Sequence, residues 1–336
     1  MLITRDASRL AVVVLFLLFA GVSLAQPVEF VALGDMPYGK DQIGSLKYIG
    51  KKIRKAGFPF VIHYGDLKAG DSPCDDGLLS ERRDLLASIV EGGLFYTPGD
   101  NDWTDCDRPK AGGYDELERL GKIRSLFFSQ DLAFRPEWQV ARQGPDYPEN
   151  AAWVFGNLQF VTLHIVGSDN GRRQILKTVP PAKALDAVDA RDRANLLWLE
   201  SAFDQAQRQA RDGLIVVMQA DPFEIADHEK RNRPCTQSER TACNPYLQFL
   251  RQLTRQADLF DRPVLLVHGS TNDFCLDEGF GGWQARKLWR LNGPGDFVFI
   301  DAAVIRFDPR DWKPIQVRGL LSGAMAPPCR LREGVK

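Results

Sequence analysis

Short apolar runs alternate along this chain with segments whose apolar residues recur every three or four positions. The runs end alike. Residues 28–33 close on Gly34-Asp35, 58–64 on Gly65-Asp66, and the run that starts at Leu94 on Pro98-Gly99-Asp100. A continuous apolar run stopped by Gly and Asp reads as a buried strand ending in a turn. Between the first two runs, Ile43, Leu46, Ile49 and Ile53 keep helical spacing behind Asp41, and Gly57 stops them. Residues 78–90 form a second helical segment, ended by Gly92-Gly93. The β-α-β-α-β order predicts parallel neighbouring strands with right-handed crossovers.

Beyond Asp107 the pattern predicts a helix over 114–128 and an irregular loop over 129–150 holding Pro136, Pro145 and Pro148. Gly156-Asn157 separates apolar runs 151–155 and 158–165, a hairpin signal. The second of these ends in a polar burst from His164 to Asn170. A long amphipathic helix is predicted over 191–211 and another over 245–259. Strands are predicted at 214–218, ending at Gln219, and at 263–267, ending at His268, with closing strands at 297–301 and 315–320. Apolar segments run evenly with no repeat or linker. This favours one large domain over 26–336, two β-rich halves with helices outside, against a split near 130–150.

The first segment stands apart. Arg5 and Arg9 precede an apolar run over 10–19, and Ser23-Leu24-Ala25 puts small residues at the cleavage positions. This is the layout of a secretory signal peptide over 1–25, with an apolar core too short to span a bilayer. It predicts a secreted or periplasmic protein with no membrane contact after cleavage. The six cysteines, all downstream of the leader, then suggest disulfides. Cys235 and Cys243 bracket a short polar loop, and Cys74 and Cys106 each follow a Gly-Asp strand end by a similar distance, which leaves Cys275 and Cys329. The chain is 44% hydrophobic and 26% charged, ordinary for a globular protein. A net charge of −1 gives no basic excess for a phosphate backbone, so nucleic acid is not an expected partner.

The strand ends carry the candidate chemistry: Asp35, Asp66, Asp100 with Asn101 and Asp102, His164, Gln219, and the stretch from His268 to Asp273. Strand C-termini of α/β sheets are where ligands bind. Carboxylates gathered there cannot all stay ionised without help. Three remedies are open: a hard divalent cation such as Mg²⁺, Mn²⁺ or Ca²⁺, the ammonium of Lys68, or raised carboxyl pKa values. His63, inside a run, reads as a core histidine, and His228 as solvated. Trp103 either covers a ligand or packs its loop, and Arg108 or Arg119 could hold a phosphate. No Gly-x-Ser-x-Gly, Gly-x-Gly-x-x-Gly, Gly-Lys-Ser/Thr loop or His-Glu-x-x-His occurs.

In order and spacing, from Phe30 to Asp273, these motifs resemble the calcineurin-like metallophosphoesterases, as a divergent secreted branch. The family pattern runs Asp-x-His, Gly-Asp, Gly-Asn-His-Asp, a His at a strand end, then Gly-His-x-His. The resemblance implies a four-layer α/β fold of two mixed β-sheets flanked by helices, and a metal-dependent hydrolase acting on a small phosphorylated substrate or ligand. Asp35, Asp66 and Asp100 match metal-ligand positions. Gln219 and Asn272 stand at ligand histidines and offer amide oxygens. Asn101 stands at the catalytic histidine, where an amide cannot shuttle a proton, and Asp102 at the acid that orients it. Apart from the resemblance, His164 at its strand tip either contacts substrate, which adds it to the candidate catalytic set, or packs. Pro37, Asn101, Gln219, Ser270 and Asn272 replace all the expected histidines. The alternative implied is a catalytically impaired pseudoenzyme, a ligand- or Ca²⁺-binding module on the same fold.

Overall fold

The structure, a computed structural model, describes residues 26–129, 134–173, 181–224, 232–271 and 273–329. The leader, His228 and the candidate ligand Asn272 lie outside the described residues.

Two mixed sheets form the centre. The first holds β1 (Val28–Leu33), β2 (Val61–His63), β3 (Leu94–Tyr96), β11 (Ala303–Phe307) and β12 (Ile315–Gly319), in the order β12-β11-β1-β2-β3. Pairs β1/β2 and β2/β3 are parallel, as the β-α-β-α-β order predicts. The second sheet holds β4 (Ala141–Gln143), β5 (Tyr147–Phe155), β6 (Leu158–Thr162), β7 (Gly213–Val217), β8 (Val264–His268), β9 (Cys275–Asp277) and β10 (Leu288–Asn292), in the order β4-β5-β6-β7-β8-β10-β9. Its centre is parallel, β6/β7/β8/β10, with antiparallel edges.

Packing explains the layers. Alternate residues of each strand point to opposite faces. Phe30, Phe60, Trp153, Phe160, Val217 and Val267 meet between the sheets in one buried cluster. The Phe95 and Trp153 rings stack there at 3.7 Å. Each such side chain contributes about 1.5–3 kcal/mol on burial. The outer face of the first sheet buries Val31, Leu33 and Val61 under Leu46 and Ile49 of α1 (Lys40–Ala56), Leu86 of α2 (Asp76–Ala87) and Ile123 of α3 (Glu116–Phe127). The outer face of the second packs Val216 and Leu266 on Leu199 of α5 (Pro181–Arg208) and Leu253 of α6 (Leu247–Phe260). The one-turn α4 (Gly167–Gly171) lies between β6 and α5. Helices, sheet, sheet, helices make four layers, the expected fold class.

The closing strand differs from expectation. Residues 297–301 form no strand, because Phe297 and Val298 sit on a turn, each 69% exposed, and the strand is Ala303–Phe307. Likewise β4 and the start of β5 occupy part of 129–150. All six cysteines pair: Cys74–Cys106, Cys235–Cys243 and Cys275–Cys329. No helix among the described residues is long and apolar enough to cross a membrane.

Candidate functional site

The parallel strands of both sheets end at the same end of the sandwich, and hydrogen bonds tie the two sets of tips together. Gln219, after β7, donates Nε2 to Asp66 Oδ2 at 3.2 Å and to Asp100 Oδ1 at 3.0 Å. Ser270, after β8, donates its backbone N–H to Asp35 Oδ2 at 2.9 Å. Asp35 and Asp66 adopt left-handed backbone, φ 51° and 58°, which turns each carboxylate back over its strand end. Aspartate tolerates this region better than most residues. The loops touch at Gly99, where a Cβ would lie 2.0 Å from Asp66 Oδ1 and 2.5 Å from the Asp66 nitrogen.

Asp102 is the clamp of this arrangement. Its carboxylate accepts from the backbone N–H of Gly99 at 2.7 Å, Asp66 at 3.0 Å and Leu67 at 2.8 Å, and from Tyr96 Oη at 2.7 Å. It is wholly buried. It therefore holds the second and third aspartate loops together, with both of its oxygens engaged.

Neutral donors lie between the acids. Tyr38 Oη is 3.0 Å from Asp66 Oδ2 and 3.5 Å from Asp35 Oδ1. Asn101 donates Nδ2 to Asp66 Oδ2 at 2.9 Å and its backbone N–H to Asp66 Oδ1 at 3.1 Å. The Gln219 amide is oriented from behind, since its Oε1 accepts the Gly167 N–H at 2.7 Å and leaves nitrogen facing the carboxylates. Ser168 Oγ lies 2.9 Å from Asp100 Oδ2 and 2.8 Å from Asp105 Oδ1. Thus every carboxylate oxygen of Asp35, Asp66 and Asp100 lies within reach of a donor from the chain, with the one Tyr38 proton shared by Asp66 and Asp35 and the one Ser168 proton by Asp100 and Asp105. Sequence reasoning passed over Tyr38, Ser168 and Asp105. Only Tyr38, three residues after Asp35, left a local signal.

Electrostatics follow the burial. Burial first, and then the neighbouring aspartates, push the Asp35 and Asp66 carboxyls well above their ordinary range. Burial also raises Asp102, against its hydrogen bonds from Gly99 and Tyr96. Asp105 is pushed up to about 7 by burial and by Asp100, against Arg108. Lys68 is wholly buried, and its Nζ donates to the carbonyls of Ala69 and Ser72. Burial lowers its pKa, while Asp102 and Asp66 hold it up. Of the three remedies for gathered carboxylates, the chain thus supplies raised pKa values and a nearby ammonium.

The donor set does not fit a resident cation. A metal needs lone pairs pointing at one centre. Here Tyr38 Oη and Gln219 Nε2 put protons between Asp35 and Asp66 and between Asp66 and Asp100. Gln219 directs its oxygen to Gly167 instead of to the carboxylates. Among the described residues, no group of three or more His, Cys, Asp or Glu side chains is arranged to hold a metal ion.

His164 stands apart from the carboxylates, fully buried, with Nδ1 2.8 Å from Glu149 Oε1 and its ring 5.3 Å from that of Trp103. Burial lowers its pKa to about 4, against Glu149. His63 is buried in the core, 3.2 Å from the Met36 carbonyl oxygen. Trp103 packs its loop, fully buried under the Arg191 guanidinium. Arg108 pairs with Asp105, and Arg119 with Asp76 and Glu118.

No family model matches the chain, and no curated protein matches it. Three solved structures are similar to it. GAP50, "the anchor in the inner membrane complex of Plasmodium", is 13% identical with a TM-score of 0.49, over 92% of this chain and 91% of that one. The Haemophilus influenzae NAD nucleotidase NadN is 11% identical with a TM-score of 0.41, over 91% of this chain and 61% of that one. The Thermus thermophilus sulfate thiohydrolase SoxB, in complex with glycerol, is 16% identical with a TM-score of 0.33, over 84% and 43%.

Proposed function

We propose that this chain is a secreted binding module on a metallophosphoesterase-like scaffold, a catalytically impaired relative of the calcineurin-like phosphoesterases. One observation carries the reading. Tyr38 Oη and Gln219 Nε2 each stand between two aspartates whose carboxylates match metal-ligand positions in that family. The acids are neutralised from inside by hydrogen bonds and by protons that burial favours. Each of their oxygens lies within reach of a donor, Asp35 Oδ1 through the Tyr38 hydroxyl that it shares with Asp66.

The rest of the site supports binding over turnover. Hydrolysis of a phosphoric ester needs a nucleophile and a group to protonate the leaving oxygen. Asn101 occupies the place of the proton shuttle and spends its amide on Asp66. Asp102 serves the loops, and His164 serves Glu149. A small phosphorylated ligand on this scaffold would meet the rim around Tyr38, where Arg108, paired with Asp105, is the nearest cation. Phe297 lies 5.1 Å from the Tyr38 ring and is 69% exposed, and the Arg108 side chain is 33% exposed. The leader pattern and three disulfides support secretion.

The competing reading is an active metal-dependent phosphoesterase. It draws on the convergence of Asp35, Asp66 and Asp100 from three parallel strands. One experiment decides between them: elemental analysis of the purified protein, paired with mono- and diesterase assays in added Mg²⁺, Mn²⁺ or Ca²⁺. The binding-module reading expects no stoichiometric metal and no turnover. Tightly held metal together with hydrolysis that vanishes in Asp66→Asn would overturn it.

A further inference from the structure

Helix α6 buries one face and leaves its flank bare beside an exposed indole. Phe249, Leu253, Ala257 and Phe260 pack on the second sheet. On the flank, Leu250, Arg251, Arg255 and Asp258 line a groove of about 500 Å³ that α6 shares with Trp283. Side chains four apart on a helix are neighbours, so Arg251 and Arg255 stand one turn apart on one stripe. The stripe continues a turn further at Leu259, which is 65% exposed.

Trp283 is 80% exposed, yet the chain beneath it is firmly held. It lies in the turn Gly282–Gln284, between β9 and β10. Gly279 and Gly282 hold left-handed backbone, φ 65° at both, and the Gly282 N–H donates to the Gly279 carbonyl oxygen at 2.9 Å. Gly281 bridges to Ala285, and the Leu288 N–H donates to the Ala285 carbonyl oxygen at 3.1 Å. Ala285 and Leu288 are buried in the same cluster as Leu253 of α6. The turn is thus pinned at its base while the indole stands clear. The two guanidinium groups are equally unengaged. Arg251 and Arg255 are exposed and make no ion pair or hydrogen bond with any described residue. Asp258 is the one acid of the lining, so the groove is locally positive on a chain whose net charge is −1.

We propose that this groove docks an acidic peptide segment of a partner protein, with an apolar side chain on Trp283 and two carboxylates on Arg251 and Arg255. Charge complementarity sets the sign of the partner. Glutamates one helical turn apart match the spacing of the two arginines, and each can pair with a guanidinium through two hydrogen bonds. Trp and Arg are the residue types that carry most of the energy where proteins meet. Leu250 and Leu259 beside the arginines add aliphatic surface for the same segment to cover. Nucleic acid fits less well, because it needs a broad basic surface and the chain has no basic excess. The groove shares no residue with the carboxylate cluster and does not depend on whether that cluster is catalytic.

Fluorescence anisotropy with the whole folded protein tests it. The probe is a dye-tagged peptide of Glu-Leu-Ala-Ala repeats, which sets glutamates one helical turn apart beside leucines. A Lys-Leu-Ala-Ala peptide is its control. The expected result is saturable binding of the glutamate peptide alone, weakening with added salt. Trp283→Ala and Arg255→Glu should each weaken it about tenfold, as loss of a central anchor does. Arg251→Glu joined with Arg255→Glu should reverse the preference, toward the lysine peptide. Trp312→Ala removes an indole that is 83% exposed on the turn between β11 and β12, and should change nothing. The substituted side chains are all exposed, so the fold does not rest on them. Three results overturn the proposal: no saturable binding of the glutamate peptide, equal binding of the lysine peptide, or unchanged affinity in Trp283→Ala. Tighter binding of polygalacturonate than of the peptide also overturns it, and assigns the groove to an acidic glycan.

Discussion

Tyr38 places its hydroxyl 3.0 Å from Asp66 Oδ2, on the side of that carboxylate that faces Asp35. A phenol there does by hydrogen bonding what a cation does by charge: it lets two buried acids sit close together. Burial and the charge of Asp66 push the Tyr38 phenol well above its usual pKa, so it remains a donor. Tyr38→Phe deletes that donor and little volume. Asp66 keeps Asn101 and Gln219 as partners, so the expected loss is about 1–2 kcal/mol of stability. The urea midpoint, at unchanged slope, reports it. A midpoint equal to the parent's would show that the hydroxyl does not hold the acids.

The scaffold was legible because β1, β2 and β3 are each a short apolar run with a Gly-Asp stop. The run ending at Leu33 is β1 to the residue, and the Gly156-Asn157 signal is the β5–β6 hairpin. The closing strand was not legible, because 297–301 is as apolar as 303–307 and only the tertiary path decides which is buried. The chemistry was half legible. Sequence order places Asp35, Asp66 and Asp100 at one sheet end, but cannot show which way an amide turns. The direction of Gln219 is set by Gly167, 52 residues earlier, in a turn with no apolar periodicity. Tyr38 was hidden for a similar reason. A tyrosine on a loop looks like surface until the turn between β10 and β11 supplies Phe297 and Asp296 around it.

Gly99 is the tightest point between the second and third aspartate loops. Its added Cβ would meet a backbone nitrogen as well as a carboxylate oxygen, so no side-chain rotation relieves it. Gly99→Ala should push the Asp66 and Asp100 loops apart and break the Asp102 clamp on Gly99, Asp66 and Leu67. Overpacking of this kind costs about 3 kcal/mol. Soluble yield and thermal melting read the effect. A variant as stable as the parent would place the loops further apart than described.

The pH dependence of stability should carry opposing contributions that one substitution separates. Asp105 is pushed up to about 7 by burial first and by Asp100, whereas an unfolded aspartate ionises near about 3.9. Between those values the native state keeps a proton that the unfolded state has released. This contribution is therefore greatest in acid and is lost as pH rises through about 7. His63 and His164 act the other way. Burial holds both down at about 4, so their contribution is full above about 6.5 and is lost as pH falls through 4. Asp105→Asn removes the acid-side gain and leaves the histidines less opposed. Its urea midpoints should fall more steeply than the parent's from pH 7 to pH 4. Parallel profiles would mean that Asp105 is ionised in the native state across that range.

Gln219 gives the sharpest test of whether the site has exchanged metal for hydrogen bonds. Its amide nitrogen stands between Asp66 and Asp100, and its oxygen is tied to the Gly167 N–H. Gln219→His removes the two donated bonds and puts an imidazole lone pair beside two carboxylates, a donor set that suits Mn²⁺ or Zn²⁺. The exchange should cost about 1 kcal/mol of stability without metal, because the Gly167 N–H loses its acceptor. It should also raise Mn²⁺ affinity by about tenfold or more in calorimetry, a difference of about 1.4 kcal/mol. Metal-dependent stabilisation should then appear in the variant and be absent in the parent, since a ligand that binds only the folded state raises its melting temperature. Equal Mn²⁺ binding by parent and variant would mean that the Gln219 amide does not occupy the place of a cation. The acids would then have to be regarded as a metal site after all.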